Sequence, residues 1–279
     1  MLRVYSIFVY LFLYAPIALI VLFSFNSGNN ASSFQGFSAM WYGRAASNSL
    51  MTDALKNSLI VASTSATLAT LMGTMAALAL QNVKGPFRVI YDGMTYIAIM
   101  VPGIVIGIAT LIALVTTFGA INGVIAALWS AIDPALTAPK LSLGYGSIIA
   151  AHTLFSMALV IVIVRARIAG MDRSLIEASM DLYADPWGTF RQITLPQLAP
   201  AIVAGFLLSF TFSFDDFVIA FFVAGSNNTL PIYVFSSIRR GVTPEINAIG
   251  TSVMVFSLTM LMIAQVLLRR QARKPTGAA

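Results

Sequence analysis

Two adjacent carboxylates, Asp215 and Asp216, lie inside the apolar run SFTFSFDDFVIAFFVAG at 209–225. Counted from Pro200 at about 1.5 Å per residue, they sit roughly 22 Å along a helix, in the outer half of a bilayer. A charged Asp at the centre of a lipid-facing helix costs at least about 2.5 kcal/mol. The pair must therefore face a water-filled cavity, a partner or a bound cation. Successive helical residues point about 100° apart, so one carboxylate faces a path while the other caps a helix break or meets a neighbouring subunit. Ser213 stands beside them. Two readings fit the three residues: an acidic contact for a cationic solute, or the capping of a broken helix. Phe210, Phe212, Phe214 and Phe217 flank the pair. They offer cation–π faces or contact for a methylene chain, or simply pack.

A second polar stretch, 172–200, separates two long apolar runs. Ser174 and Glu177 have the spacing of a capping box, and a short helix through Leu182 follows. Asp185-Pro186 starts a second helix, with Asp as N-cap and Pro at the first helical position. Thr194-Leu195-Pro196 stops it before the next membrane span. Two short helices joined by a tight turn make a rigid elbow. His152, the only His, reads as a packed polar side chain rather than a proton relay. Other chemistries are missing from the sequence. Gly is never followed by Lys, so there is no Walker A loop to cradle ATP phosphates. No HExxH, G-x-S-x-G or His/Asp cluster occurs, and the absence of Cys removes disulfides and thiolate sites.

The elements that must carry these groups are set by hydropathy. The 279 residues are 58% hydrophobic and 9% charged, with a mean hydropathy of +0.88, against about 25% charged in soluble domains. This is an integral membrane protein. Six windows reach the roughly 20 residues needed to span: 5–25, 57–80, 89–115, 147–164, 198–224 and 246–268. The first is too long for a signal-peptide core and lacks a small-residue cleavage site, so it stays as a helix. With both termini inside, 11 of the 16 basic residues fall on the inner side, as the positive-inside bias requires. The elbow is then cytoplasmic, and the net charge of +6 reports topology rather than nucleic-acid binding.

Between the windows, 26–52 is rich in Ser, Asn and Gly, and its Trp41 and Tyr42 suit either the outer lipid interface or contact with a binding protein. The second window carries many small residues, which let helices approach closely. In the third, Pro102 predicts a kink, and Gly103 and Gly107 form a small-residue pair for packing. The segment 116–146 is expected outside or at the interface, with apolar 123–132 too short to span and so surface-lying or re-entrant. Asp133-Pro134 and Ala138-Pro139 punctuate it. The tail after Leu268 is basic and inside.

Glu177-Ala178-Ser179, Asp181-Leu182, Ala184 and Ile193-Thr194-Leu195-Pro196 resemble the EAA loop of permease subunits of type I ABC importers. In that family this loop is the coupling helix that docks on a cytoplasmic ATPase. The words around 26–45, the FDD run and SNNTLPIYVFSSIRRGVTPEINA at 226–248 resemble the polyamine (spermidine/putrescine) permeases. The resemblance covers nearly the whole chain, densest in 172–252 and looser in 116–146. It implies an all-α integral membrane fold of six transmembrane helices with a cytoplasmic coupling helix, forming one permease domain over 1–279. It implies a bacterial inner-membrane location, multi-pass with both termini cytoplasmic. The implied partners are a second permease, two ATPase subunits, a periplasmic or surface solute-binding protein and membrane lipid. ATP and Mg would be bound by the ATPase, with no cofactor in this chain and no catalysis by it. Coupling would fall to Glu177, Ala178, Ser179, Asp181, Leu182, Tyr183 and Ala184, and the substrate pathway to Ser213, Asp215, Asp216 and Trp41. Two departures stand out. Tyr183 replaces the Gly that follows Asp-Leu in the family, so a turn with φ > 0 would be costly there. Gly103 replaces the acidic residue frequent after Pro102 in polyamine permeases, which keeps other cargo open: an opine, another amine or an iron complex. A self-contained secondary transporter predicts an internal repeat and paired discontinuous helices, neither of which is visible. A membrane enzyme would need a nucleophile–base or metal set.

Overall fold

The computed structural model describes residues 2–30, 33–132, 137–172, 174–241 and 243–272. The Asp133-Pro134 punctuation, Arg173 and the tail from 273 lie outside these. Among the described residues there is no strand, only an isolated bridge between Asn26 and Phe37. The helices are α1 (Leu2–Ser24), α2 (Met40–Ser47), α3 (Ser49–Leu80), α4 (Pro86–Met100), α5 (Gly103–Ile132), α6 (Tyr145–Ala169), α7 (Ser174–Asp181), α8 (Pro186–Thr189), α9 (Leu195–Asp215), α10 (Val218–Val223), α11 (Leu230–Arg240) and α12 (Pro244–Ala272). Among the described residues, five stretches are long and apolar enough to cross a membrane: Arg3–Ser24, Ser49–Leu80, Gly103–Ile132, Tyr145–Ala169 and Pro186–Asp215. With α12, the all-α, six-helix membrane architecture expected from the sequence stands.

Two compact units form, one from 1–57 with 228–266 and one built on 58–227. In the first, Asn26 is fully buried and organises the loop after α1. Its side-chain amide donates to the carbonyls of Asn30 (3.0 Å) and Ser33 (2.8 Å) and accepts from the Gln35 N–H (2.9 Å). Trp41 is 5% exposed, its indole N–H donates to Asn26 O at 2.8 Å, and Arg44 covers its ring. Trp41 is thus not the exposed interfacial ring expected: a buried ring with its one donor satisfied holds the loop. Asn48, between α2 and α3, donates to Tyr233 on α11 and Glu245 on α12, each at 3.0 Å.

In the second unit α6 is central. Val160 packs with Ala77, Val164 and Leu198, and a Cβ on Gly73 would come within 2.8 Å of Val160. Small residues on α3 thus admit α6 closely, as the sequence suggested. Three boundaries differ from expectation. The third window is not one kinked helix but two, α4 and α5, separated at Val101-Pro102. The second of these runs unbroken to Ile132, so 123–132 is neither surface-lying nor re-entrant; thirty helical residues reach about 45 Å. Asn122 pins the returning chain to it through paired hydrogen bonds with Leu141 (2.9 and 2.8 Å). Lastly, Pro196 does not stop a helix. A five-residue π turn, Phe190–Thr194, joins α8 to α9 and absorbs the missing N–H, so α8 and α9 form one continuous stretch.

Candidate functional site

The carboxylate pair splits exactly where the chain breaks. Helix α9 ends at Asp215, Asp216 has an extended backbone (φ −70°, ψ 120°), and α10 starts at Val218. The Asp216 carboxylate accepts the Ala220 N–H at 2.9 Å, supplying a partner to the first turn of α10. It also lines a cavity of about 270 Å³. Capping therefore falls to the residue that also lines the cavity, while Asp215 is exposed and lies outside it. The other break also lines it, with Val101 and Gly103. A Cβ on Gly103 would meet nothing closer than Val218 at 3.9 Å. Phe155 and Phe212, also in the cavity lining, form an edge-to-face pair, centroids 6.1 Å apart.

Ser213, also lining the cavity, connects it to a buried polar chain that sequence reading missed. Its Oγ lies 2.8 Å from Ser65 Oγ on α3 and 2.7 Å from His152 Nδ1 on α6. His152 is 2% exposed, and its Nε2 is 3.2 Å from Asp216 Oδ2. That approach is close but off the line of a ring N–H, and Nε2 makes no hydrogen bond. The lone His thus has neighbours after all. Residues 65, 152 and 213 are too far apart in sequence for any local pattern to have joined them. What fixes the α10 end is Ser147, whose hydroxyl donates to Val223 O at 2.6 Å. Next to it Gly225, at φ +58°, brings its backbone so near Leu143 that a Cβ would stand 2.5 Å from the carbonyl oxygen. No side chain fits there.

At the other end of the unit, Asp92 on α4 pairs with Arg165 on α6, and Arg88 lies 3.9 Å from it. Arg167 reaches the Gln197 carbonyl at 2.9 Å, tying α6 to the start of α9. The elbow hangs below these. Asp172 Oδ1 accepts the Ser174 N–H at 2.9 Å, so the capping carboxylate stands upstream of the Ser174/Glu177 pair. Hydrogen bonds from the Ser174 side chain and then from its N–H hold the pKa of the Asp172 carboxyl below its ordinary value. Asp185 caps α8 as expected, accepting the Gly188 N–H at 2.9 Å with Pro186 at the first helical position. Ser179, among the residues expected to carry coupling, is buried and bonded to Thr189 Oγ1 at 2.7 Å, which locks α7 onto α8.

The turn between them bears on the Tyr183 departure. Tyr183 has φ 57°, the only non-glycine with positive φ among the described residues. Its N–H donates to Met180 O (2.9 Å) and the Ala184 N–H to Ser179 O (3.1 Å). That is the paired closure of a Schellman C-cap, normally built on glycine. The elbow does not bend differently to suit Tyr; Tyr adopts the left-handed turn. It is 96% exposed, and Leu182, Met180 and Trp187 of the same elbow are exposed as well. Glu177, Ala178, Asp181 and Ala184 are also exposed, so the elbow presents an apolar face edged with acid.

Residues 69–276 match the family described as the binding-protein-dependent transport system inner membrane component. The chain belongs to that family. It is a multi-pass inner-membrane permease subunit. It is 34% identical over 270 residues to the spermidine/putrescine transport system permease protein PotC of Escherichia coli K12, covering 96% of this chain and 94% of that one. It is 40% identical over 247 residues to the putrescine transport system permease protein PotI of the same organism, covering 87% and 82%. Among solved structures, it is similar to a chain of a bacterial ABC transporter involved in import of the acidic polysaccharide alginate, with TM-score 0.72, 17% identity and coverage of 96% and 94%. That likeness speaks for the fold alone.

Proposed function

We propose that this permease carries polyamines or closely related organic cations inward as half of the pathway of an ATP-driven importer. The observation that supports this most strongly is identity of 34–40%, across nearly the full chain, to permeases named for spermidine and putrescine. The site agrees in kind: one carboxylate, Asp216, at a helix break beside a cavity walled by two aromatic rings. A cationic amine would meet Asp216 and Ser213 there, with Asp215 turned toward a neighbouring chain. The two units would act together as one permease domain.

In this reading ATP and Mg are bound and hydrolysed by separate subunits, two per complex, with a second permease and a solute-binding protein completing it. The termini and the elbow face the cytoplasm. The apolar face of Leu182, Tyr183, Met180 and Trp187 seats in the ATPase, with Glu177 and Asp181 at its rim. Because α8 continues into α9, a push on the elbow is delivered along a rigid rod to Asp216 at its far end. The test is ATP-dependent putrescine accumulation in proteoliposomes containing the complete complex. Glu177→Lys should abolish it while leaving the permease folded, and Asp216→Asn should lower it without loss of ATPase subunits on purification. Wild-type accumulation of an amino acid but not of putrescine would refute the cargo. Normal uptake by Glu177→Lys would refute the docking role.

A further inference from the structure

We propose that His152 and Asp216 hold one proton between them and that the cationic nitrogen of the cargo replaces it, making His152 the residue that restricts this cavity to cations. This rests on the reading above that the cavity is on the path. The argument is a count of protons. Ser65 Oγ lies 2.7 Å from the Val61 carbonyl, which only accepts, so the Ser65 proton goes there. Ser65 and Ser213 hydroxyls are 2.8 Å apart, so Ser213 must be the donor of that pair. Having spent its single proton, Ser213 can only accept from His152 Nδ1, 2.7 Å away, and Nδ1 therefore carries hydrogen. A neutral imidazole has one N–H, which leaves Nε2 bare. Yet Nε2 is buried, without a hydrogen bond, 3.2 Å from Asp216 Oδ2.

Two bare acceptors at that distance repel. One proton, on Nε2 or on the carboxyl, removes the conflict. Nothing else nearby supplies the charge. Over residues 58–80, and throughout α5 and α10, no side chain ionises. Helix α9 offers only Asp215, exposed and outside the cavity. On α4 the ionisable groups are Arg88, Tyr91, Asp92 and Tyr96, and on α6 itself Tyr145, Arg165 and Arg167. Arg165 is thirteen residues from His152, about 20 Å along α6, and engaged with Asp92.

A carboxylate at this depth is stable only when balanced. An ammonium group binding to Asp216 balances it as the proton did, and the proton leaves to water in the cavity: one positive charge in, one out. A neutral solute offers no replacement, and an anion is repelled. The experiment is uptake of radiolabelled putrescine by proteoliposomes holding the complete importer, at cargo well below saturation, at external pH 7.5 and 5.5. Protons and cargo competing for one site should lower native uptake by about fivefold or more at the lower pH. His152→Gln keeps a donor for Ser213 but holds no second proton, and its uptake should change less than about twofold between the two pH values. Should that variant not assemble, Ser65→Ala serves. It frees the Ser213 proton for Nδ1, so a neutral His152 can carry its single hydrogen on Nε2, beside Asp216, and the pH ratio should flatten likewise. A native ratio near one, or equal ratios in native and variants, overturns the proposal. Absence of ATP-dependent putrescine uptake at every pH would instead overturn the cargo reading.

Discussion

Replacing Tyr183 by Gly should stabilise the elbow and impair the importer at the same time. The residue sits at φ 57°, a left-handed conformation that costs an L side chain roughly 1–2 kcal/mol. Glycine removes that cost but gives back about 0.4–1 kcal/mol through the freer unfolded chain. Tyr183 is 96% exposed and makes no packing that the change would destroy within the chain. The net gain is therefore about 0.5–1 kcal/mol, all of it local to the C-cap. Hydrogen exchange in the permease reads it directly. The Ala184 and Tyr183 amides, bonded to Ser179 and Met180 carbonyls, should exchange about two- to fivefold more slowly, since local opening is what exposes them. Tyr183→Ala separates strain from contact, because Ala keeps the left-handed penalty and loses the ring. Both variants should lower putrescine-stimulated ATP hydrolysis alike, while only the Gly variant slows exchange. Equal or faster exchange in Tyr183→Gly would refute the strain argument. Full stimulation in both variants would refute the seat for the ring.

Gly225→Ala places a Cβ 2.5 Å from the Leu143 carbonyl oxygen at φ +58°, so it should destabilise by at least about 1–2 kcal/mol and lower the melting temperature of the purified permease. Gly103→Asp meets only Val218 at 3.9 Å, so its carboxylate enters the cavity; spermidine, with one more charge than putrescine, should gain apparent affinity relative to it in competition uptake. The pKa of the Asp172 carboxyl is held below its ordinary value by bonds from the Ser174 side chain and then from its N–H. Its support for the α7 start is thus complete above the ordinary carboxylate range and is lost as pH falls toward the depressed folded value. Exchange at the Ser174 amide, corrected for intrinsic rates, should speed up on acidification in the native chain and lose that dependence in Asp172→Asn.

Much of this was legible in the sequence, and the failures have physical causes. Windows of apolar residues predicted the membrane helices because a bilayer imposes length and hydropathy at once. Asp185-Pro186 predicted the α8 cap because capping is local. The reading of Pro196 as a stop failed because a π turn can absorb a missing N–H inside a continuing helix. The short length of 123–132 misled because the residues before it, from Gly103, already belonged to the same helix. Trp41 showed only an amphipathic ring; that its N–H would find the carbonyl of Asn26 is a property of the folded loop. The Ser65–Ser213–His152 chain was out of reach for the same reason, since its members meet only when α3, α6 and α9 pack.

The two helix breaks explain each other. Interrupting a helix at membrane depth frees backbone groups that lipid cannot satisfy, so it is tolerated only where the backbone lines protein or water. Pro102 forces one interruption by chemistry, having no N–H. The other, at Asp216-Phe217, is not forced by any residue: Asp216 tolerates it by accepting the Ala220 N–H. Both open on the same cavity, which gives each the polar surroundings it requires. The side chain that stabilises the second break is also, among the described residues, the only carboxylate lining that space. In the proposed reading one group would both hold the break and meet the cation, and a substitution at Asp216 that removes the acceptor for the Ala220 N–H would loosen α10 as well. For that reason the cleaner probe of the proposed route is His152, which lies beside the carboxylate on a helix that runs unbroken past both interruptions.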